Sequence, residues 1–312
     1  MSIFRPGVRS ATQTDWPALA LLFVLGLLGG ACAGSSSERA VREAEELAED
    51  KRWEEAAEAF GHFPEEVAAW RPFGAWRAAS IYRDELNDPV RAEDAFSNCA
   101  KNWSATDWGY VCRVELGQLR ALQENHPGAI DAFRGALEIR PRGAHAETCL
   151  LESGRAYLAL DEPQLARFEW DELLKTFPST PLAATVALER ARSFDLEGRH
   201  RDAVDAYRAV AARYEGHSVV GEARFGEGEC LEQLGLLEEA LAVFRSLVQG
   251  HENPAVVELK IAAVQRRIAR RNTNQATIFE NSKVRADSNW DREQGISPSG
   301  DSAVGQPMES VD

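Results

Sequence analysis

The feature that most constrains this chain is a spacing. Ala56, Ala92, Ala129, Ala166, Ala203 and Ala240 stand 36, 37, 37, 37 and 37 residues apart, and each is followed four places on by a ring: Phe60, Phe96, Phe133, Trp170, Tyr207 and Phe244. A small residue and a ring four apart share one helix face. A single such pair would mean only that a helix has a core side. Six pairs in register make a repeat, whose unit cannot bury its apolar face alone and must share a core with its neighbours. Twelve residues before the later alanines stand Gly117, Gly154, Ala191 and Gly228, followed three further on by Tyr157, Phe194 and Leu231 in the last three. Turn formers stand five before the alanine at Asn87, Asp161, Gly198 and Gly235. Small residues at two helical positions, with a ring one turn after the second, predict paired helices that approach closely while the ring fills the groove. No stretch reads as a strand, so the fold class is all-α.

This pattern resembles the tetratricopeptide repeat, which places Gly or Ala, Tyr, Gly, Ala, an aromatic, Ala and Pro at these offsets. The resemblance implies an α-solenoid of about six such helix hairpins over residues 37–250, followed by a capping helix. Repeats three to six match best. Repeat one is degenerate, and repeat two carries Arg83 where Tyr is expected, with Tyr82 one residue early. The units exceed the family minimum by three residues, which fall after the second helix in stretches such as KTFPSTPLA from Lys175. There Ser179 or Thr180, then Pro181, predicts a cap and first helical position. Longer units with this junction look like envelope repeat proteins: the lipoprotein that assists β-barrel assembly in the outer membrane, and the periplasmic partner of the Tol-Pal system.

By the same resemblance, the first helix of each unit lines a concave, ligand-binding face. Its apolar rungs would be Val114, Leu151, Leu188 and Phe225, beside a polar column of Gln118, Arg155, Arg192 and Glu229. Such a surface suits an extended or helical peptide, with an acidic group held by the two arginines. The alternative is local: Glu152 and Arg155, like Glu189 and Arg192, are spaced i, i+3 and can pair with each other.

The N-terminus sets the expected location. Arg5 and Arg9, with no acid before Asp15, precede an apolar run that ends LGGACAG. Only 16 residues lie between Asp15 and Cys32, Pro17 among them, whereas spanning a bilayer takes roughly 20. A basic head, apolar middle and small-residue end make an export signal. Leu28-Gly29-Gly30-Ala31-Cys32 resembles the bacterial lipoprotein signal, with the Leu four rather than three residues before the Cys. The resemblance implies removal of residues 1–31, lipidation of Cys32 with a short linker at 32–36, and stable anchoring by two or more chains. Ala33 rather than Asp after the Cys implies an outer-membrane, periplasm-facing lipoprotein. Simple cleavage at the Ala31-x-Ala33 pair, giving an unanchored module, is the competing reading.

At the other end, NPAVVELKIAAVQRRIARR predicts a capping helix within 251–271. Asn253 is its cap, Pro254 its first position, and Val257, Ile261, Val264 and Ile268 its apolar stripe. Its arginines, 266, 267, 270 and 271, either dock on a partner or complement the helix dipole. Residues 272–312 turn to Ser, Asn, Gly and acids and are expected to be a disordered tail.

The chemistry this sequence excludes is broad. A net charge of −15 argues against a nucleic-acid partner, which needs clustered Lys and Arg. No P-loop, G-x-S-x-G or C-x-x-C occurs, and no two of the six His stand three or four apart. Neither a metal, a cofactor, a small-molecule substrate nor enzymatic activity is therefore expected. Cys99, near the end of one helix, and Cys112, near the start of the next, would lie close in antiparallel neighbours, so a disulfide and simple burial both stand. Cys149 repeats the position of Cys112 one unit later, which favours packing; Cys230 has no evident partner. Protein-protein interaction in the bacterial envelope is what remains: a scaffold in outer-membrane protein assembly or envelope organisation, or a pilotin-like or Tol-Pal and division-linked adaptor escorting one client.

Overall fold

A computed structural model describes residues 36–250 and 253–293, and every regular element among them is helical. The export segment and Cys32 lie outside the described residues. Six helix pairs follow in order: α1 (Ser36–Glu49) with α2 (Trp53–Gly61), α3 (Arg71–Asp84) with α4 (Pro89–Asn102), and α5 (Asp107–Leu122) with α6 (His126–Ile139). Then come α7 (Ala146–Ala159) with α8 (Pro163–Thr176), α9 (Ala183–Leu196) with α10 (His200–Arg213), and α11 (Val219–Gln233) with α12 (Leu237–Leu247). A 3₁₀ helix, Glu65–Trp70, fills the junction after the first pair, and α13 (Pro254–Glu293) closes the described chain. No described helix is long and apolar enough to cross a membrane. The chain divides into two compact units, one ending at Gly143 and one beginning at Ala144.

Within each pair, one residue turns the chain. Lys51, Asn87, Glu124, Asp161, Gly198 and Gly235 all have φ between 50° and 76°, each five places before its alanine. This is the left-handed conformation that ends a helix. The next N–H then reaches back to a carbonyl of the last turn, as from Asn125 to Arg120 O (2.8 Å), Glu162 to Tyr157 O and Leu236 to Leu231 O (both 2.9 Å). Glycine accepts this backbone without strain; Lys51 and Glu124 occupy it at a cost of about 1–2 kcal/mol each. Two of the second helices then start on side-chain caps, Asp88 Oδ1 accepting from Arg91 N (3.0 Å) and Asn125 Oδ1 from Gly128 N (3.1 Å).

All six alanines are fully buried, and the six rings are 0–3% exposed. In the first unit, Phe60 sits among Ala44, Ala56, Phe63 and Ile81, while Phe96 packs with Ala79, Cys99, Cys112 and Leu116. Arg83, where Tyr was expected, lays its guanidinium 5.3 Å from the Phe96 ring centre and pairs with Glu115 of α5. The expected small residues are where the rings press. A Cβ on Gly117 would lie 2.5 Å from the Phe133 ring.

The second unit uses the same device. Added to Gly154, a Cβ would overlap the Trp170 indole, and on Gly228 it would come within 2.7 Å of Phe244. Trp170 also donates from Nε1 to Leu151 O (3.1 Å), so its burial leaves no orphan polar atom. Tyr207, Phe244, Leu231 and Val257 share one core with Ala191 and Ala223.

Two expectations are corrected. The helix after KTFPSTP begins at Ala183, two residues beyond Pro181, because Thr180 spends its hydroxyl on the turn. Its Oγ1 accepts from Leu182 N (3.1 Å) and donates to Glu147 of α7 (2.6 Å). The last helix does begin on Asn253, whose Oδ1 accepts from Val256 N (3.4 Å), and Val257 and Val264 are fully buried. It does not stop at Arg271, however. It continues to Glu293, so residues 272–293 are helix rather than irregular tail. Arg266, Arg267, Arg270 and Arg271 are thus mid-helix and cannot complement a C-terminal dipole; Arg267 and Arg271 pair instead with Glu232 and Glu238.

The Sγ atoms of Cys99 and Cys112 are bonded across α4 and α5, with Cα atoms 6.0 Å apart. The bridge closes a 13-residue separation, so its reduction is expected to cost about 3 kcal/mol. Denaturant midpoints with and without reductant measure this, with Cys99→Ser/Cys112→Ser as the matched reference. For the packing device, Gly154→Ala is expected to lose about 1–3 kcal/mol by overpacking. Gly221→Ala, where an added Cβ meets nothing within 4 Å, should gain up to about 1 kcal/mol. Thermal unfolding of both variants would show whether small size or mere helix propensity governs these positions.

Candidate functional site: the first-helix faces

The residues expected to line a binding face divide by polarity. Val114, Leu151 and Leu188 are only 2%, 6% and 3% exposed, so these rungs are core and do not face a ligand. Phe225 is half-buried and meets Phe244 edge-on at 5.5 Å, with Lys260 Nζ 5.9 Å from its ring centre. Gln118, Arg155, Arg192 and Glu229 keep intermediate exposure, so the polar column and Phe225 reach the surface while the three aliphatic rungs do not.

That column is largely neutralised from within. Arg155 donates to Glu152 (2.8 Å) on its own helix and to Glu189 Oε1 (2.8 and 3.1 Å) on α9. Arg192 lies 3.5 Å from Glu189 and pairs more closely with Glu222 of α11. Glu229 receives Lys260 Nζ of α13 at 2.7 Å. The arginines therefore do not stand ready for an acidic ligand, and the purely local alternative is also incomplete. Each bridges to an acid about one repeat ahead. Burial pulls the Arg155 pKa down, but the Glu152 and Glu189 carboxylates outweigh it and hold the guanidinium charged. Glu189 itself is 8% exposed, a charge tolerated inside only because two guanidiniums meet it.

In the first unit an aromatic cluster occupies the corresponding region. Half-buried Trp70, Phe73, Trp76 and Trp108 join α3 to the start of α5. Phe73 and Trp76 each lie 5.3 Å from Trp108 between ring centres, and Trp70 lies 5.9 Å from Phe73. The binding-face offsets fall on Arg77 and Ile81 in repeat two and so do not mark these rings. Nearby, a cleft of about 330 Å³ between α4, α5 and α6 is lined by Ser97, Lys101, Arg113, Arg120 and Asp131, of mixed charge.

The remaining thiols differ. Cys149 is buried in an apolar setting that raises its pKa to about 12, which makes it inert. Cys230, also fully buried, lies 3.2 Å from Asp195 Oδ1, which His200 Nδ1 meets at 3.0 Å. Burial and that carboxylate both push the Cys230 thiol upward. Sequence reading missed this juxtaposition because the three residues come from three helices, with Asp195 and Cys230 nearly one repeat apart.

Comparison with known proteins identifies the repeat. A tetratricopeptide-repeat family model matches residues 151–218 and 188–255, from α7 through α12. Over that span the helix pairs match the tetratricopeptide repeat, and the likeness to solved structures is one of all-helical repeat fold. A tetratricopeptide repeat protein from Parabacteroides merdae superposes with a TM-score of 0.54 at 12% identity, covering 80% of this chain and 93% of that one. Pseudomonas aeruginosa pilF superposes with a TM-score of 0.48 at 13% identity, covering 74% and 97% respectively. No curated protein sequence matches.

The neutralised column makes a quantitative expectation. In a double-mutant cycle, Arg155→Ala and Glu189→Ala should couple by about 1–3 kcal/mol in unfolding free energy. The exposed Glu172 and Lys175 pair, 3.0 Å apart on α8, should couple by no more than about 0.5 kcal/mol. Equal coupling in the two pairs would remove the column from the list of forces joining these hairpins.

Proposed function

We propose that this tetratricopeptide-repeat chain is a non-enzymatic scaffold, tethered by a lipidated Cys32 to the periplasmic side of the bacterial outer membrane. There it holds envelope proteins or their peptide segments during outer-membrane protein assembly or envelope organisation. The interaction half of this reading is carried by one observation. The repeat's rings and small residues are consumed in packing, and what the first helices leave at the surface is a polar column and a half-buried aromatic cluster. Each of these patches, taken by itself, suits recognition of shape and side-chain pattern over a few turns of helix. Half-buried aromatics supply contact area at low entropic cost, and the paired charges at the rim exclude mismatched partners more than they add affinity.

The anchoring half rests on Leu28-Gly29-Gly30-Ala31-Cys32 and on the basic, acid-free stretch before it. Two lipid chains on one cysteine would hold the repeats at the membrane face without any spanning segment. Labelled palmitate is expected to enter the wild type and not Cys32→Ala, and the wild type alone should fractionate with outer membranes. Soluble, unlabelled wild-type protein would replace the tether with a freely diffusing module. Crosslinked pull-down from intact cells then separates the two anchored alternatives. A stoichiometric barrel-assembly partner supports the scaffold, and a single secretin or division protein supports an adaptor.

A further inference from the structure

Asp195 lies in the last turn of α9, His200 opens α10, and Cys230 lies on α11. One ligand-type atom from each, Asp195 Oδ1, His200 Nδ1 and Cys230 Sγ, falls within 4.8 Å of the other two. The thiol is fully buried, whereas the Asp195 and His200 side chains are 34% and 29% exposed. The preceding repeat has Leu158, Pro163 and Ser193 at the same three offsets, none of them a strong metal donor. His also stands at this offset two repeats earlier, as His126, but only here do an Asp and a Cys join it. As a hydrogen-bonded group the cluster is poorly explained, since a thiol is a weak donor and gains little from facing a carboxylate.

We propose that Asp195, His200 and Cys230 bind one zinc-class divalent ion, with a fourth coordination position open to water. Zinc–ligand bonds of about 2.0–2.3 Å at tetrahedral angles require donor separations of roughly 3.3–3.6 Å. The separations of 3.0 Å for Asp195–His200 and 3.2 Å for Asp195–Cys230 need only a few tenths of an ångström of opening, and the His200 and Cys230 donors, within 4.8 Å of each other, settle to the same spacing as the ion draws them in. One sulfur, one imidazole nitrogen and one carboxylate oxygen favour zinc over magnesium or calcium, which take oxygen donors. On binding, the Cys230 S–H proton passes to the buffer as the metal–sulfur bond forms, with no change of oxidation state. The ion staples hairpin five to the first helix of hairpin six. Because the Asp195 and His200 side chains are partly exposed, solvent can reach the cluster to fill the fourth position. This site stands whether or not the chain is membrane-tethered.

The test uses the full chain without a polyhistidine tag, stripped with chelator and titrated with zinc, then with cobalt(II) as the spectroscopic probe. The expected result is one metal per chain and a thiolate-to-cobalt charge-transfer band in the near ultraviolet. Cys230→Ser should abolish the band and Cys149→Ser should keep it. His200→Gln and Asp195→Asn should each weaken zinc by more than the ~10–100-fold that loss of a mere supporting partner costs. His200→Gln alters a partly exposed side chain at a helix start and decides the matter should Cys230→Ser fail to fold. Absence of stoichiometric zinc binding in the wild type would overturn the site. So would a missing charge-transfer band, or zinc binding unchanged by His200→Gln.

Discussion

The fold depends on a ring seated where another helix has no side chain. Trp170 against Gly154 and Phe244 against Gly228 are the same contact in the fourth and sixth repeats, as is Phe133 against Gly117 in the other unit. A ring buried in this way removes a large apolar area from water, at about 25 cal/mol per Å². It can do so only if the facing residue gives up its own side chain. Each glycine costs backbone entropy in its helix, so it is retained where the ring returns more than it loses. That exchange sets the distance between the helices of a pair, and hence which residues remain outside.

Two further constraints make the exchange repeatable. A left-handed residue five places before each alanine closes the first helix, so that the second helix starts in fixed register with the ring on the inner side. Charged pairs then join one repeat to the next: Arg155 to Glu189, Arg192 to Glu222, and Lys260 to Glu229. Exposed pairs contribute little singly. Around Glu189, however, two guanidiniums converge on one buried carboxylate, and the arrangement fixes the relative position of three first helices.

Much of this was legible from the spacing of small residues and rings, because a ring's need for a partner of complementary size is written in residue type. The hairpin turns were legible only where the type matched the backbone. Asn87, Asp161, Gly198 and Gly235 announce a left-handed turn, while Lys51 and Glu124 adopt the same φ under the pull of the tertiary contacts around them. The binding face was less legible. Family offsets mark a direction on a helix and not its exposure, which is why Val114, Leu151 and Leu188 carry the groove offsets and yet are buried. The extent of the last helix was misread for a related reason. Residues 272–283 are exposed and mostly polar, and Ile278 and Phe279 stand side by side rather than at helical spacing, so no apolar periodicity marks their conformation. Asp195, His200 and Cys230 could not be grouped at all before the hairpins were placed.

Native-state hydrogen exchange measures the central dependence on the buried rings most directly. Amides on α8, α10 and α12, which carry Trp170, Tyr207 and Phe244, are predicted to exchange together, at the free energy of opening their whole unit. Those of 272–283 should exchange within the dead time of a helix that packs on nothing. If each ring-bearing helix instead exchanged independently and with shallow protection, the rings would not be shared structural elements, and the account of why these hairpins hold together would be wrong.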